Sequence, residues 1–277
     1  MSLPNATRRL PSVDGELNYL KPTGVRPRNY TYDPPDGSPR SNLVPDPHTL
    51  PIQDARSIAA DVSVDVEGFG LVQHRSAVRD FYNDDEVERV YYPEAERLLR
   101  DVTGAKRVFV FDHTVRRRVP GAEDRKAATR QPVARVHVDH TAKSGPQRVR
   151  DLLPDEADEL LRGRVQIINL WRPIKGPLRD APLAVCDARS VAPEQLVASD
   201  LVYPNRVGET YAVTFDPAHR WFYVRDMQPD EGLLLKCYDS ETDGRARFAP
   251  HSAFIDPTTP PDAAPRESIE LRTLVFG

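Results

Sequence analysis

Two cysteines among 277 residues leave little room for thiol chemistry. Cys186 and Cys237 each lie in an apolar run far from the other, so there is neither a Cys-x-x-Cys redox pair nor a cysteine-built zinc site. Buried thiols in a reducing compartment fit that usage. Long apolar runs are also missing. No stretch reaches the ~18 residues that a membrane-spanning helix needs, and Met1 to Arg9 carry no apolar signal core. The expectation is a cytoplasmic protein without membrane contact. Neither sign of charge dominates: 38 Lys+Arg against 42 Asp+Glu give a net charge of −4, which excludes a generic nucleic-acid binder. No glycine-rich phosphate loop, no Gly-x-Ser-x-Gly elbow and no internal repeat is present.

Proline is plentiful, at 27 residues, and punctuates short segments more readily than long helices. Residues 1–60 are polar and proline-rich; they read as an arm that wraps the domain or stays partly disordered, with one short strand at Glu16–Leu20. Residues 75–103 hold the best helical pattern. Asp84 can cap it, Val87, Val90, Tyr91, Ala95, Leu98, Leu99 and Val102 keep helical spacing, and Gly104 stops it. Pro93 predicts a kink or two pieces. Arg107–Phe111 reads as a strand. A basic loop follows, with Arg116, Arg117, Arg118, Arg125, Lys126 and Arg130. Its plain reading is a solvated surface; its functional reading is a lid that meets an anionic or carboxylated small-molecule substrate.

Two short helices are expected over Pro146–Leu153 and Asp155–Arg162. Beyond Arg164 the chain reads as short strands: Val165–Trp171, Leu183–Cys186, Thr210–Phe215, Trp221–Val224, Leu233–Tyr238, Arg247–Ala249, Ser252–Ile255 and Ile269–Phe276. Helices do not alternate with them, which argues against a doubly wound sheet. The expected fold is mainly β with flanking helices: one domain over residues 1–277, with a jelly-roll, cupin-like core over 107–277.

The chemistry centres on Ala134–Thr141. On a strand, His137 and Asp139 share one face. An imidazole and a carboxylate there are two thirds of a 2-His-1-carboxylate metal site, and Pro250-His251 supplies a third ligand several strands later. His140 has the opposite parity and reads as a supporting residue. His113 and His219 could each belong to some other site. Arg266 follows His251 by fifteen positions, enough for a strand, a turn and a return beside it. Arg266 offers a planar fork for a carboxylate, and Ser268 points the same way. Arg272 shares that face and is a rival. Asn169 and Trp171 share a strand face and are candidate pocket walls; Arg172, Tyr223, Tyr211 and Lys236 are further substrate-binding candidates.

The ordered set His137-Val-Asp139, Asn169-Leu-Trp171-Arg172-Pro173, Tyr211 to Tyr223, Lys236-Cys-Tyr238-Asp239-Ser240 and Pro250-His251 through Arg266-Glu-Ser268 resembles the hydroxylase/desaturase family of non-haem iron oxygenases, which includes AsaB-type, CmcJ-type and gibberellin-desaturase-like proteins. The resemblance spans roughly residues 15–277. It implies a double-stranded β-helix, Fe(II) on His137, Asp139 and His251, O2, and 2-oxoglutarate on Arg266 and Ser268. The reaction implied is hydroxylation or desaturation of an unactivated C–H bond in secondary metabolism. The interval from His251 to Arg266 is longer than is common in such enzymes. An iron oxygenase of the same fold that does not use 2-oxoglutarate, or a non-catalytic jelly-roll binding protein, is therefore the alternative. A homodimer is the base-rate expectation.

Overall fold

The computed structural model describes residues 10–122 and 130–277. In chain order the strands and helices are β1 (Ser12–Leu20), β2 (Arg28–Tyr30), β3 (Pro45–Asp54), β4 (Phe69–Gln73), α1 (Asp84–Glu86), α2 (Tyr92–Thr103), β5 (Arg107–Arg117), β6 (His137–Val138), α3 (Ser144–Leu152), α4 (Ala157–Leu160), β7 (Val165–Pro173) and β8 (Leu183–Cys186). There follow β9 (Leu196–Val202), β10 (Val207–Val213), β11 (Trp221–Tyr223), β12 (Glu231–Asp239), β13 (His251–Ala253) and β14 (Glu267–Phe276). They form a nine-stranded sheet, β1-β3-β11-β8-β13-β6-β10-β9-β2, and a five-stranded sheet, β4-β12-β7-β14-β5. The two sheets face each other as a jelly roll with flanking helices, the expected fold class.

Period-two alternation builds three apolar layers. Val165, Ile167 and Trp171 of β7 point between the sheets, where they meet Leu233 and Leu235 of β12 and Val185 of β8. Ile168 and Leu170 point the other way, under Val87, Tyr91, Ala95 and Leu99. All nine residues of β7 are therefore buried, as a strand covered on both faces must be. On the outer face of the larger sheet, Cys186, Trp221 and Tyr223 pack against Val13, Leu17 and Tyr19 of β1.

The N-terminal arm departs from expectation. From Ser12 on it supplies β1 and β3, paired along nine residues at the edge of the larger sheet. Pro45, Pro47 and Pro51 belong to β3 and share one parity, so their missing donors fall on one edge; β11 joins β3 only from Ile52 onward. The helical region comes in pieces, as Pro93 predicts: a π-helical turn over Val87–Tyr91 separates α1 from α2, and Pro93 sits in the first turn of α2. Asn83, and not Asp84, is the N-cap, accepting from the Glu86 amide at 3.1 Å. Gly104 closes α2 in the left-handed region at φ 68°.

Three other expectations are corrected. β5 runs on to Arg117, so Arg116 and Arg117 belong to a strand; Arg125 and Lys126 lie outside the described residues. The strand expected at Arg247–Ala249 is absent, and the next begins at His251. β13 and β14 are not neighbours but lie in opposite sheets, which sets His251 and Arg266 across the interior from each other.

Candidate metal centre

β6 is only two residues long, yet it is held on both sides: His137 pairs with Ala212 of β10 and with His251 of β13. That double pairing brings the two imidazoles together, ring centres 4.4 Å apart. Asp139 leaves the ladder just beyond β6 and stays against His137, with Oδ1 3.5 Å from Nε2. One ligand atom from each of His137, Asp139 and His251 lies within 4.8 Å of the others.

The neighbours fix which atoms face inward. His137 Nδ1–H donates to the Arg135 carbonyl at 2.7 Å, and His251 Nδ1–H donates to the Ala249 carbonyl at 3.1 Å. A carbonyl only accepts, so each Nδ1 carries the proton and each Nε2 keeps its lone pair. Asp139 Oδ2 is taken by the Asn169 side-chain amide at 2.8 Å and by Arg272 Nε at 3.2 Å. Oδ1 is left toward the histidines. Two neutral imidazoles and one carboxylate oxygen suit a divalent first-row metal with open positions.

Electrostatics favours the charged form of Asp139 and the neutral form of His251. Burial alone would raise the Asp139 pKa, but Arg272 first, with His137 and His251, outweighs it and holds the carboxyl well below its ordinary range. Burial lowers the pKa of His251 and favours its neutral form. Arg272 also donates to Glu270 Oε2 at 2.9 Å and to Thr114 Oγ1 at 3.0 Å. Asn169 bridges to Glu270 Oε1 at 3.0 Å. The smaller sheet therefore clamps the carboxylate that the larger sheet presents.

Farther along the same face of β14 lies Arg266, 2 % exposed. Its Nε donates to Ser268 Oγ at 3.0 Å and its Nη1 to the Ala181 carbonyl at 2.9 Å; its guanidinium covers the Trp171 ring at 4.9 Å. Among the described residues no carboxylate pairs with that guanidinium: Asp180 accepts from the Arg266 backbone amide and pairs with Arg118 at 2.6 Å. Burial, then repulsion from Arg116, pushes Arg266 down to about 9. A buried cation in that state favours an anionic partner.

Several candidates from the sequence fall elsewhere. Arg172 has the opposite parity to Trp171, so it leaves the interior, donates to the His74 carbonyl and lies over Tyr91 at 5.1 Å. Tyr223 faces the outer layer, edge-on to Phe254. Lys236 is buried away from the centre with Asp65, Gln166 and Asp239. His113 bridges Tyr92 and Asp84, and His219 joins Tyr19 to Gln195. His140 is buried beside Ser144 and is not among the three grouped ligands. Tyr211 packs edge-on to Phe248, with its hydroxyl accepting from Ala142 N. Arg116, expected in a basic loop, lies on β5 directly across from Ser268, and Glu270, which sequence reasoning missed, keeps the Arg266–Ser268 alternation.

A surface cleft of about 440 Å³ between the segment after β1 and β9 contains no cluster of ligating groups. No helix among the described residues is long and apolar enough to cross a membrane.

Comparison with known proteins agrees with this geometry. The family described as "Oxidoreductase/YMDC permease-like domain" matches residues 17–276. The hydroxylase/desaturase efuI of Hormonema carpetanum is 35 % identical, over 96 % of this chain and 95 % of that protein. The Fe(II)/2-oxoglutarate-dependent dioxygenase nvfI of Aspergillus novofumigatus is 33 % identical, over 95 % and 96 %. A solved structure of the iron and α-ketoglutarate-dependent endoperoxidase NvfI superposes with a TM-score of 0.87 at 30 % identity, covering 96 % of this chain and 98 % of that one. The chain belongs to the hydroxylase/desaturase family of Fe(II)/2-oxoglutarate-dependent oxygenases.

Proposed function

We propose that this chain hydroxylates or desaturates an unactivated C–H bond of a small molecule in secondary metabolism, as a single oxygenase domain. Fe(II) is held by His137 Nε2, Asp139 Oδ1 and His251 Nε2, and 2-oxoglutarate by Arg266 and Ser268. One observation carries this reading. Both Nδ1 atoms and Asp139 Oδ2 are already engaged, and one ligand atom from each of the three residues lies within 4.8 Å of the others. Fe(II) with 2-oxoglutarate and O2 supplies, when bound, the oxidising power to remove a hydrogen atom from carbon. The protein's own part is to orient the ligands, fix the cosubstrate's charge and hold the target carbon in place. The free guanidinium of Arg266 suits the distal carboxylate, and Ser268 Oγ, which accepts from Arg266, still has its proton to donate.

The substrate carries an anionic or carboxylated group. Arg116, Arg266 and Arg272 act on one another and, with Arg130, face the carboxylates Asp112, Asp139, Asp180 and Glu270, so the charges of this cluster balance. Arg116 supports this reading of the substrate: its side chain has no ion pair among the described residues and donates only to the Gln131 carbonyl, at 2.9 Å. Arg116→Met is expected to raise the substrate KM at least about tenfold, the worth of one charge-assisted hydrogen bond; an unchanged KM removes the anionic requirement.

The function is tested by succinate formation in air with Fe(II), ascorbate and 2-oxoglutarate. Wild type forms succinate even without its substrate, slowly, and Asp139→Ala forms none. If iron binds and no succinate appears, the cosubstrate assignment fails and the 2-oxoglutarate-independent alternative replaces it.

A further inference from the structure

The inner face of β7 bears two side-chain atoms with no partner among the described residues, Asn169 Oδ1 and Trp171 Nε1. The indole is the more telling. Trp171 is 2 % exposed, so water does not reach it freely, and a buried indole N–H ordinarily finds an acceptor. The protein's other tryptophan obeys that rule: Trp221 Nε1 donates to Tyr19 Oη at 2.7 Å. Trp171 is left unmet although Glu270, which accepts from Asn169 and Arg272, stands directly across from it on β14.

The unmet N–H belongs to the same ring that the unpaired Arg266 guanidinium covers at 4.9 Å. A buried cation without an anion and a buried donor without an acceptor thus lie beside each other. A carboxylate satisfies both, since its two oxygens offer about four lone-pair sites. We infer that Trp171 Nε1 donates a hydrogen bond to the distal carboxylate of 2-oxoglutarate, making a three-donor site with the Arg266 guanidinium and the Ser268 hydroxyl. The inference rests on the cosubstrate assignment above and adds to it a binding residue that the packing role of a large aromatic would hide. It explains why the position holds an indole: a phenyl ring could stack under Arg266 equally well but has nothing to donate.

The test uses the scarcity of tryptophan. Protein labelled with ¹⁵N at the indole nitrogens and loaded with Zn(II), a diamagnetic stand-in for Fe(II), gives two indole N–H signals, assigned by Trp171→Phe. Adding 2-oxoglutarate is expected to move the Trp171 signal downfield and leave Trp221 in place. Adding 2-oxobutanoate, which keeps the metal-chelating end but lacks the distal carboxylate, is expected to leave both in place. Trp171→Phe is expected to weaken 2-oxoglutarate about tenfold or more while leaving Zn(II) affinity unchanged. If 2-oxoglutarate binds with wild-type strength to Trp171→Phe, or binds without moving the Trp171 signal, the inference is overturned and the cosubstrate assignment stands. If 2-oxoglutarate does not bind the Zn(II) protein at all, both fall together.

Discussion

Arg272 is the cation on which the candidate centre leans, and replacing it with methionine isolates its charge while keeping most of its stem. The guanidinium touches Asp139 at 3.2 Å and Glu270 at 2.9 Å, and donates to Thr114 at 3.0 Å. Burial works against its charge, but Glu270, Asp139 and Asp112 together hold it firmly protonated. Without metal, the variant leaves two carboxylates inside the protein, joined only through the Asn169 amide. Removing one partner of a buried ion pair costs about 3–5 kcal/mol. Two charge-assisted hydrogen bonds, each worth about 1.5–3 kcal/mol, give a similar figure. The three side chains are 14 %, 17 % and 8 % exposed, so some screening remains and the lower end is expected. A loss of about 3 kcal/mol lowers Tm by roughly 6–12 °C in a chain of this size. Urea unfolding of chelator-treated protein measures it. Adding Glu270→Gln to Arg272→Met should return part of the loss, because one uncompensated charge is gone. A loss below about 1 kcal/mol for Arg272→Met would refute the idea that this arginine neutralises the carboxylate pair.

Other outcomes follow from the same contacts. Asn169→Ala removes one of the two hydrogen bonds to Asp139 Oδ2 without changing the charge of the site, so Zn(II) affinity should fall about 10–100-fold in competition with a chromophoric chelator. Gly145→Ala sets a Cβ 2.5 Å from the Tyr238 ring, which is rigid and in the core; a loss of about 1–3 kcal/mol is expected in urea, largely recovered by Tyr238→Leu in the same chain. Leu99→Ala removes a fully buried side chain between α2 and the smaller sheet, and should cost about 2–5 kcal/mol with Zn(II) affinity unchanged.

What the sequence disclosed about the site follows from how each residue reaches it. Arg266 and Ser268 share a face through simple alternation, and the structure joins them by a hydrogen bond. His137 and Asp139 do converge, though the strand that suggested it is only two residues long and Asp139 lies beyond its end. The partner of His251 was misread. A strand, a turn and a strand usually pair with each other, but here the chain crosses between sheets, and nothing local distinguishes the two paths. Trp171 and Arg172 are neighbours on one strand, so alternation already forbids both from facing inward. Which face Tyr223 takes was not legible, because Phe222 on the opposite face is equally apolar and both faces of the larger sheet are covered. The N-terminal strands were obscured by prolines that an edge tolerates. The role of Arg272 as a partner of Asp139 is a long-range contact, made only when the two sheets close.

The most direct test is anaerobic and optical. Fe(II) is added to metal-free protein, then 2-oxoglutarate, with His137→Ala and Arg266→Ala measured alongside. The account predicts a weak visible charge-transfer band that needs both additions, is lost in His137→Ala, and needs more cosubstrate in Arg266→Ala. Failure of iron to bind, or a band indifferent to His137, would contradict it.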